Sequence, residues 1–169
     1  MITTLSPADY GAAIPRLADI LMDAVDAGAG VSFMKPLDRA AAEAFWQGLV
    51  PAVAGGQTLV LAAEDQGLLA GVVLLQLADK PNQPHRADVA KLLVHRDFRR
   101  RGLGSALMRA LEDEARLHQR SLLTFDAVAH GPVEAFYKSL GFICAGYYPA
   151  YAYSGDGRLD DTALFYKPL

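Results

Sequence analysis

Residues 94–107 read VHRDFRRRGLGSAL, and this stretch joins a predicted strand to a predicted helix. The strand is Asp88–Val94, in which apolar side chains dominate. The helix is Gly104–Gln119, whose polar side chains, Glu112 among them, are expected to face away from the core. Its apolar face repeats at helical spacing through Leu103, Leu107, Leu111 and Ala115. Strand, turn and helix therefore form one local unit around an Arg/Gly-rich turn.

This turn has the composition of an anion-binding site. The first backbone N–H groups of a helix lack partners within it and carry the positive end of the helix dipole. Gly102 and Gly104 let that backbone approach a ligand without side-chain clashes. Such turns bind phosphate groups. Additional charge and paired hydrogen-bond donors come from Arg99, Arg100 and Arg101.

Two better-known nucleotide-binding turns fit the same stretch less well. The dinucleotide fingerprint G-x-G-x-x-G needs a third glycine, but Leu107 occupies that position. The P-loop needs Gly-Lys-Ser/Thr, which does not follow. If the turn is considered alone, a solvated basic turn ahead of an ordinary helix is an equal alternative.

The segments outside this unit predict a mixed α+β fold. A short strand at residues 2–5 precedes a helix that begins after Ser6, and a second helix follows Asp38 and is closed by Pro51. Residues 148–160 are expected to form a loop. The other predicted elements are a two-stranded hairpin, a strand, a short helix and two final strands, at residues 58–64, 68–77, 121–127, 132–140, 142–147 and 162–167.

Composition narrows the classes of function. The 169 residues, 52% of them hydrophobic and 21% charged, are expected to form a single domain spanning residues 1–169. A net charge of −3 argues against nucleic-acid binding. Cys144 is the only cysteine and the four histidines are scattered, so we expect neither a disulfide nor a metal site. No signal peptide or membrane-spanning stretch is recognisable, which predicts a cytoplasmic protein.

The predicted order is a strand, the motif R-x-x-G-x-G, a helix and a second strand. The segment AFYKSLGF follows at residues 135–142. This order resembles the GNAT superfamily of N-acetyltransferases. The resemblance covers residues 87–147. It implies a three-layer α+β fold with a mostly antiparallel sheet of about seven strands, a splay between strands four and five, and helices on both faces. More narrowly, three segments are similar to the tabtoxin-resistance branch, which acetylates a toxin amine: residues 85–94, 122–137 and 156–169.

The resemblance implies acetyl-CoA as cosubstrate, bound where two neighbouring strands splay apart. By the motif match, the backbone that binds the pantetheine arm and the acetyl carbonyl belongs to Leu92, Leu93 and Val94. The pyrophosphate is expected to lie against Arg99, Arg100, Arg101, Gly102, Leu103, Gly104 and Ser105. Relatives often carry an asparagine that contacts the cofactor, and His130 occupies that position here. We expect His130 to be a further contact.

The resemblance also implies the catalytic residues. Tyr137 matches the family tyrosine that protonates the departing thiolate, and a core aromatic beside Phe136 is the alternative. Asp88 and Asp126 occupy positions that the tabtoxin-resistance pattern fills with acids, and they are candidates to orient the amine and accept its proton, directly or through water. The alternative for both carboxylates is simple solvation at strand ends.

The resulting prediction is an acetyl-CoA-dependent N-acetyltransferase acting on the amine of a small molecule, with a free α-amino acid or a toxin resembling one as the leading acceptor. A protein N-terminal or lysine acetyltransferase is the alternative within enzymes. An acetyl-CoA-binding module without catalysis and a nucleic-acid-binding domain are alternatives from other classes. The sequence leaves a homodimer open, and predicts no membrane partner.

Overall fold

Seven strands form one sheet in the order β1-β2-β3-β4-β5-β7-β6. The computed structural model describes residues 1–169. Every neighbouring pair is antiparallel except β4 and β5, which run parallel. The strands are β1 (Ile2–Thr4), β2 (Thr58–Asp65), β3 (Leu68–Leu77), β4 (Arg86–Val94), β5 (Leu122–Val128), β6 (Ile143–Tyr153) and β7 (Leu159–Pro168).

Five helices surround the sheet, and local capping chemistry determines where two of them begin. The Ser6 hydroxyl accepts a hydrogen bond from the Asp9 backbone N–H, and the Asp38 carboxylate accepts one from the Ala41 N–H at 2.7 Å. Both contacts satisfy an amide that a helix leaves without an internal partner. The helices are α1 (Pro7–Asp26), α2 (Arg39–Gly48), α3 (Val50–Ala54), α4 (Leu103–Leu117) and α5 (Pro132–Ser139).

The helices cover both faces of the sheet. On one face, α4 and α5 pack onto a core that contains Leu107, Leu111 and Phe165. On the other face, α1, α2 and α3 enclose a second core around Leu17 and Trp46. The α+β architecture expected from the sequence is therefore confirmed, including the mostly antiparallel sheet and the two helical layers.

The expected splay between the fourth and fifth strands is present. Only three residue pairs join β4 to β5, at Arg86–Leu122, Ala87–Leu123 and Asp88–Thr124, and beyond them the two strands diverge. On its other side, β4 has a bulge in its pairing with β3, because Val72 pairs with Leu93 and Leu74 pairs with Ala90. Lys91 and Leu92 therefore face the single residue between these β3 positions, which is the definition of a bulge.

Three sequence expectations were wrong in detail. Residues 148–160 are mostly strand, because β6 extends to Tyr153 and β7 begins at Leu159. The pattern concealed this because β6 is an edge strand with mostly exposed side chains and no apolar alternation. Pro51 lies in the first turn of α3 instead of simply ending α2. Glu112 is buried, and its carboxylate forms an ion pair with the Lys167 ammonium at 2.6 Å.

Candidate active site

A cleft of about 760 Å³ opens where β4 and β5 diverge. Its walls are the two strands, the Arg/Gly-rich turn and the first residues of α4, and α5. The structure brings most of the predicted site residues to this cleft: Leu92, Leu93, Val94, Arg99, Arg100, Gly102, Leu103, Gly104, Ser105, Asp126 and Tyr137. Arg101, Asp88 and His130 lie outside it.

The N-terminus of α4 leaves its first amides free for a ligand. Gly102 is the residue before the helix, and no side chain caps these amides. Gly102 has a φ of 79°, in the left-handed region that favours glycine, and a Cβ there would meet no protein atom within 4 Å. The turn thus combines free amides, open space and the neighbouring Arg100 guanidinium, which suits a diphosphate.

The Arg99 guanidinium donates hydrogen bonds to two groups of the protein itself. Its Nε donates to the Val94 carbonyl at 2.9 Å, and its Nη2 donates to the Asp23 carboxylate at 3.0 Å. Asp23 also accepts from the Arg96 backbone N–H at 3.0 Å and pairs with the Arg96 guanidinium. Arg99 and Arg96 therefore fasten the turn to β4 and to the last turn of α1.

Asp23 is a site residue that the sequence analysis missed. It is 7% exposed, and it lies 73 residues before Arg96 in the chain. One signal in the sequence distinguishes it from the other acids of α1: it lies among the apolar residues of that helix, and a buried acid generally needs a basic partner.

Arg101 faces away from the cleft, contrary to expectation. Its guanidinium donates to the Asp65 carboxylate and to the Asp97 carbonyl, each at 2.9 Å, and it lies over the Phe98 ring at 5.3 Å. Of the three consecutive arginines, Arg99 and Arg100 line the cleft and Arg101 anchors the outside of the turn.

The β4 bulge interrupts the regular pairing with β3 beside the cleft. Leu92 has no partner residue on β3, and β5 has already diverged at this level. A bulged residue is left out of the ladder of hydrogen bonds. A free backbone amide at this position can stabilise negative charge that develops on an acyl oxygen.

Tyr137 belongs both to the core and to the cleft wall. It lies in α5, is 8% exposed, and its ring centroid is 4.5 Å from that of Phe125 and 6.1 Å from that of Phe142. Burial raises the pKa of Tyr137 to about 12. The hydroxyl therefore stays protonated at every working pH and can act as a hydrogen-bond donor.

The two candidate acids have different surroundings. Asp126 is exposed, lines the cleft, and accepts a hydrogen bond from the Thr162 hydroxyl at 3.3 Å. Asp88 lies where β4 and β5 are still paired, and its carboxylate is held by the Arg86 guanidinium and the Thr124 hydroxyl. A carboxylate with an ion-pair partner and a second donor suits a structural role, so Asp126 is the acid available in the cleft.

His130 lines a neighbouring pocket of about 590 Å³ instead of the cleft. Its Nε2 lies 3.3 Å from the Asp161 carboxylate, and its ring stacks on Tyr147 with centroids 4.9 Å apart. Its backbone N–H donates to Glu134, whose pKa the Lys138 ammonium and this N–H lower to about 2. These contacts orient the His130 side chain away from the expected cofactor position.

A model of the acetyltransferase (GNAT) family matches residues 22–142. The chain belongs to the GNAT family of acetyltransferases. Members of this family use acetyl-CoA, and the free α4 amides, the open space at Gly102 and the unpaired bulge backbone fit that molecule. This GNAT protein has no helix long and apolar enough to cross a bilayer, and no group of three or more side chains suited to holding a metal ion.

Solved structures share this GNAT fold over the whole chain. A ribosomal-protein-alanine N-acetyltransferase from Brucella melitensis is 24% identical with a TM-score of 0.80, covering 100% of this chain and 99% of that one. The yncA protein of Salmonella typhimurium, assigned as an acetyltransferase and determined with its cofactor acetyl-CoA, is 20% identical with a TM-score of 0.77, covering 100% and 93%. A protein assigned as a phosphinothricin N-acetyltransferase is 17% identical with a TM-score of 0.81, covering 100% and 98%.

Proposed function

We propose that this enzyme transfers the acetyl group of acetyl-CoA to the amine of a small molecule in a ternary complex. The observation that carries the proposal is the presence of Asp126 of β5 and Tyr137 of α5 in one cleft, beside the Arg/Gly-rich turn. The similarity of residues 85–94, 122–137 and 156–169 to the tabtoxin-resistance branch supports the same acceptor class.

The loop that follows α1 forms part of the cleft wall and is held in place by the turn between β6 and β7. A Cβ on Gly155 in that turn would lie 2.9 Å from the Val25 carbonyl oxygen, and the Gly155 carbonyl accepts a hydrogen bond from the Lys35 N–H at 3.0 Å. A fixed wall of this kind is compatible with a small acceptor, and a panel of acceptors decides between a small molecule and a polypeptide.

The acceptor must lose a proton before it can react. An amine with a pKa near 10.4 is neutral in only about one molecule in 2,500 at pH 7, a cost of roughly 4.6 kcal/mol. In the proposed arrangement the Asp126 carboxylate attracts the ammonium form and passes the released proton to water, which its exposure permits. The Thr162 hydroxyl lies 3.3 Å from one Asp126 carboxylate oxygen and 3.1 Å from the Ala127 carbonyl oxygen, so its one proton is shared between these two acceptors.

The transfer then follows ordinary acyl chemistry. The neutral nitrogen attacks the thioester carbonyl carbon of acetyl-CoA, a C–N bond forms, the C–S bond breaks, and CoA leaves as a thiolate. The amide freed by the β4 bulge stabilises the carbonyl oxygen as it gains charge. The nitrogen loses its second proton to Asp126 or water, and the amide product and CoA are released.

The raised pKa of Tyr137 defines how it acts on the thiolate. Burial raises the pKa of Tyr137 to about 12, so the hydroxyl is protonated and can donate to the departing sulfur. Tyr137 therefore assists departure of the sulfur by donating a hydrogen bond, and the thiolate takes its proton from this hydroxyl or from water.

A thiol-release assay with acetyl-CoA tests the proposal. The acceptor panel comprises amino acids, simple amines, aminoglycosides and peptides with free N-termini, and mass spectrometry identifies each acetylated product. We expect turnover with small amines. Turnover confined to peptides would instead establish a protein acetyltransferase, and tight acetyl-CoA binding without any turnover would establish a binding module.

A further inference from the structure

Lys91 stands in the bulge of β4 and lines the cleft between the splayed strands. Its φ of 50° is in the left-handed region, which side-chain-bearing residues seldom adopt. Backbone strain of this kind persists only where the surrounding structure imposes it, and it is concentrated at functional sites. The bulge turns a charged side chain toward the space between the α1–α2 connection and β5, where Asp126 also lies.

The Lys91 ammonium lies beside two aromatic rings. Its Nζ is 5.4 Å from the ring centroid of Phe45 in α2 and 6.0 Å from that of Phe33 in the loop before α2. The side chain is partly buried, and burial lowers the pKa of Lys91, while the charge of Asp126 opposes this shift. No carboxylate lies within ion-pair distance of the ammonium, so this charge has no direct counter-ion in the protein.

The other basic side chains of the cleft, Arg99 and Arg100, have different contacts or positions. The Arg99 guanidinium is held by Asp23 and the Val94 carbonyl, and Arg100 lies on the turn that faces the phosphate groups. Lys91 is the basic side chain on the strand portion of the cleft wall. An uncompensated charge in a partly dry site is stabilised when a ligand supplies the opposite charge.

We infer that Lys91 binds a carboxylate of the acceptor, so that the substrate is an amino acid held between Lys91 and Asp126. This inference rests on the proposed function. Opposite charges on the two sides of the cleft match the two ends of a zwitterion, with the carboxylate at Lys91 and the amine at Asp126. The Phe33 and Phe45 rings shield the carboxylate contact from water, which strengthens it.

The experiment compares each of the twenty L-amino acids with its carboxamide, which retains the amine and lacks the carboxylate. We expect wild type to prefer the acid. Lys91→Met should lower kcat/KM for the acid by about 10- to 100-fold, the loss typical of a hydrogen bond to a charged group. The same variant should leave kcat/KM for the carboxamide nearly unchanged, and Lys91→Arg should keep part of the preference for the acid.

Two measurements separate this role from others. Calorimetry of the same acids and carboxamides, with the protein saturated by CoA, should show weaker binding of the acids alone in Lys91→Met. The matched control is Arg100→Met, which removes a cation from the phosphate-binding turn. It should raise KM for acetyl-CoA and leave the preference for acid over carboxamide intact.

Equal use of acid and carboxamide by wild type would overturn the inference. So would an equal loss for both acceptors in Lys91→Met, because that result would place the lysine in proton transfer and not in carboxylate recognition. If wild type acetylates none of these compounds, the small-molecule function fails for this class. Calorimetry then still tests Lys91, since equal or absent binding of acid and carboxamide would overturn its role.

Discussion

Tyr137 packs in the core, and the chemical role proposed for it depends on a single atom, the hydroxyl oxygen. Tyr137→Phe keeps the ring among Phe125, Phe142 and Phe165 and removes only the hydroxyl. We expect kcat to fall on the order of 10²-fold, because the departing sulfur loses its hydrogen-bond donor. Stopped-assay kinetics give kcat, and calorimetry should show nearly unchanged acetyl-CoA affinity. Tyr153→Phe, in an exposed position on β6, is the control. Equal turnover by Tyr137→Phe and wild type would make Tyr137 a packing residue alone.

Asp126 is predicted to contribute most to kcat/KM at a pH at which the acceptor amine is protonated. Asp126→Asn should lower kcat/KM for the amine about tenfold or more at pH 7 while acetyl-CoA affinity changes little. The loss should shrink toward pH 10, where free amine is already abundant. A pH–rate series on both proteins measures this.

Asp88→Asn is the matched comparison for that series. Because the Asp88 carboxylate already pairs with Arg86 and Thr124, its replacement should lower thermal stability and produce no pH-dependent loss of rate. An equal fractional loss at pH 7 and pH 10 in Asp126→Asn would show that Asp126 orients the amine and does not accept its proton.

At the scale of secondary structure, the start of α4 is predicted to bind the diphosphate of acetyl-CoA. Gly102→Val places a β-branched side chain at a φ of 79° and in the open space before the helix. We expect acetyl-CoA affinity to fall at least about tenfold, because the backbone can no longer approach the diphosphate. Calorimetry on the folded variant measures the affinity.

Backbone strain alone lowers stability, so this variant needs a control with the same strain. Gly67 in the β2–β3 turn has a φ of 76° and equally open surroundings. Gly67→Val should therefore lose comparable stability, about 1–2 kcal/mol, and bind acetyl-CoA normally. Unchanged affinity in a folded Gly102→Val protein would contradict the placement of the diphosphate at this turn.

At the scale of the whole molecule, Asp23 connects the helical layer of α1 to the Arg/Gly-rich turn. Asp23→Asn removes the negative charge that Arg96 and Arg99 share. We expect Tm to fall by roughly 3–8 °C and acetyl-CoA affinity to weaken, because the turn loses its anchor on α1. Differential scanning calorimetry and titration with acetyl-CoA measure the two effects.

Asp19→Asn, on the same helix, is the matched control. The Asp19 side chain is 36% exposed and pairs with Arg39 at the surface, away from the turn. Exposed ion pairs contribute little, so its Tm should change by less than about 2 °C and its cofactor affinity should not change. If the two variants behave alike, the ion pairs of Asp23 do not position the turn.

Sequence alone determined the features whose causes are local. The caps at Ser6 and Asp38 were predictable because each contacts an amide three residues away. The Arg/Gly-rich turn before α4 was predictable for the same reason, since its glycines, arginines and helix start are consecutive. The family motif around Tyr137 and the splay of β4 from β5 were also recognisable, because fold and order are shared throughout the family.

Tertiary structure alone decided which charged side chains face the cleft. A one-residue bulge sets the direction of the Lys91 side chain. No sequence pattern in β4 predicts this bulge, because it depends on how β3 pairs with that strand. Arg99 and Arg101 pair with Asp23 and Asp65, which are distant in the chain, and Asp88 is held by Arg86 of its own strand together with Thr124 of β5. Composition shows that a charge is present. Its partner across the fold determines whether that charge holds the structure together or remains free for a ligand.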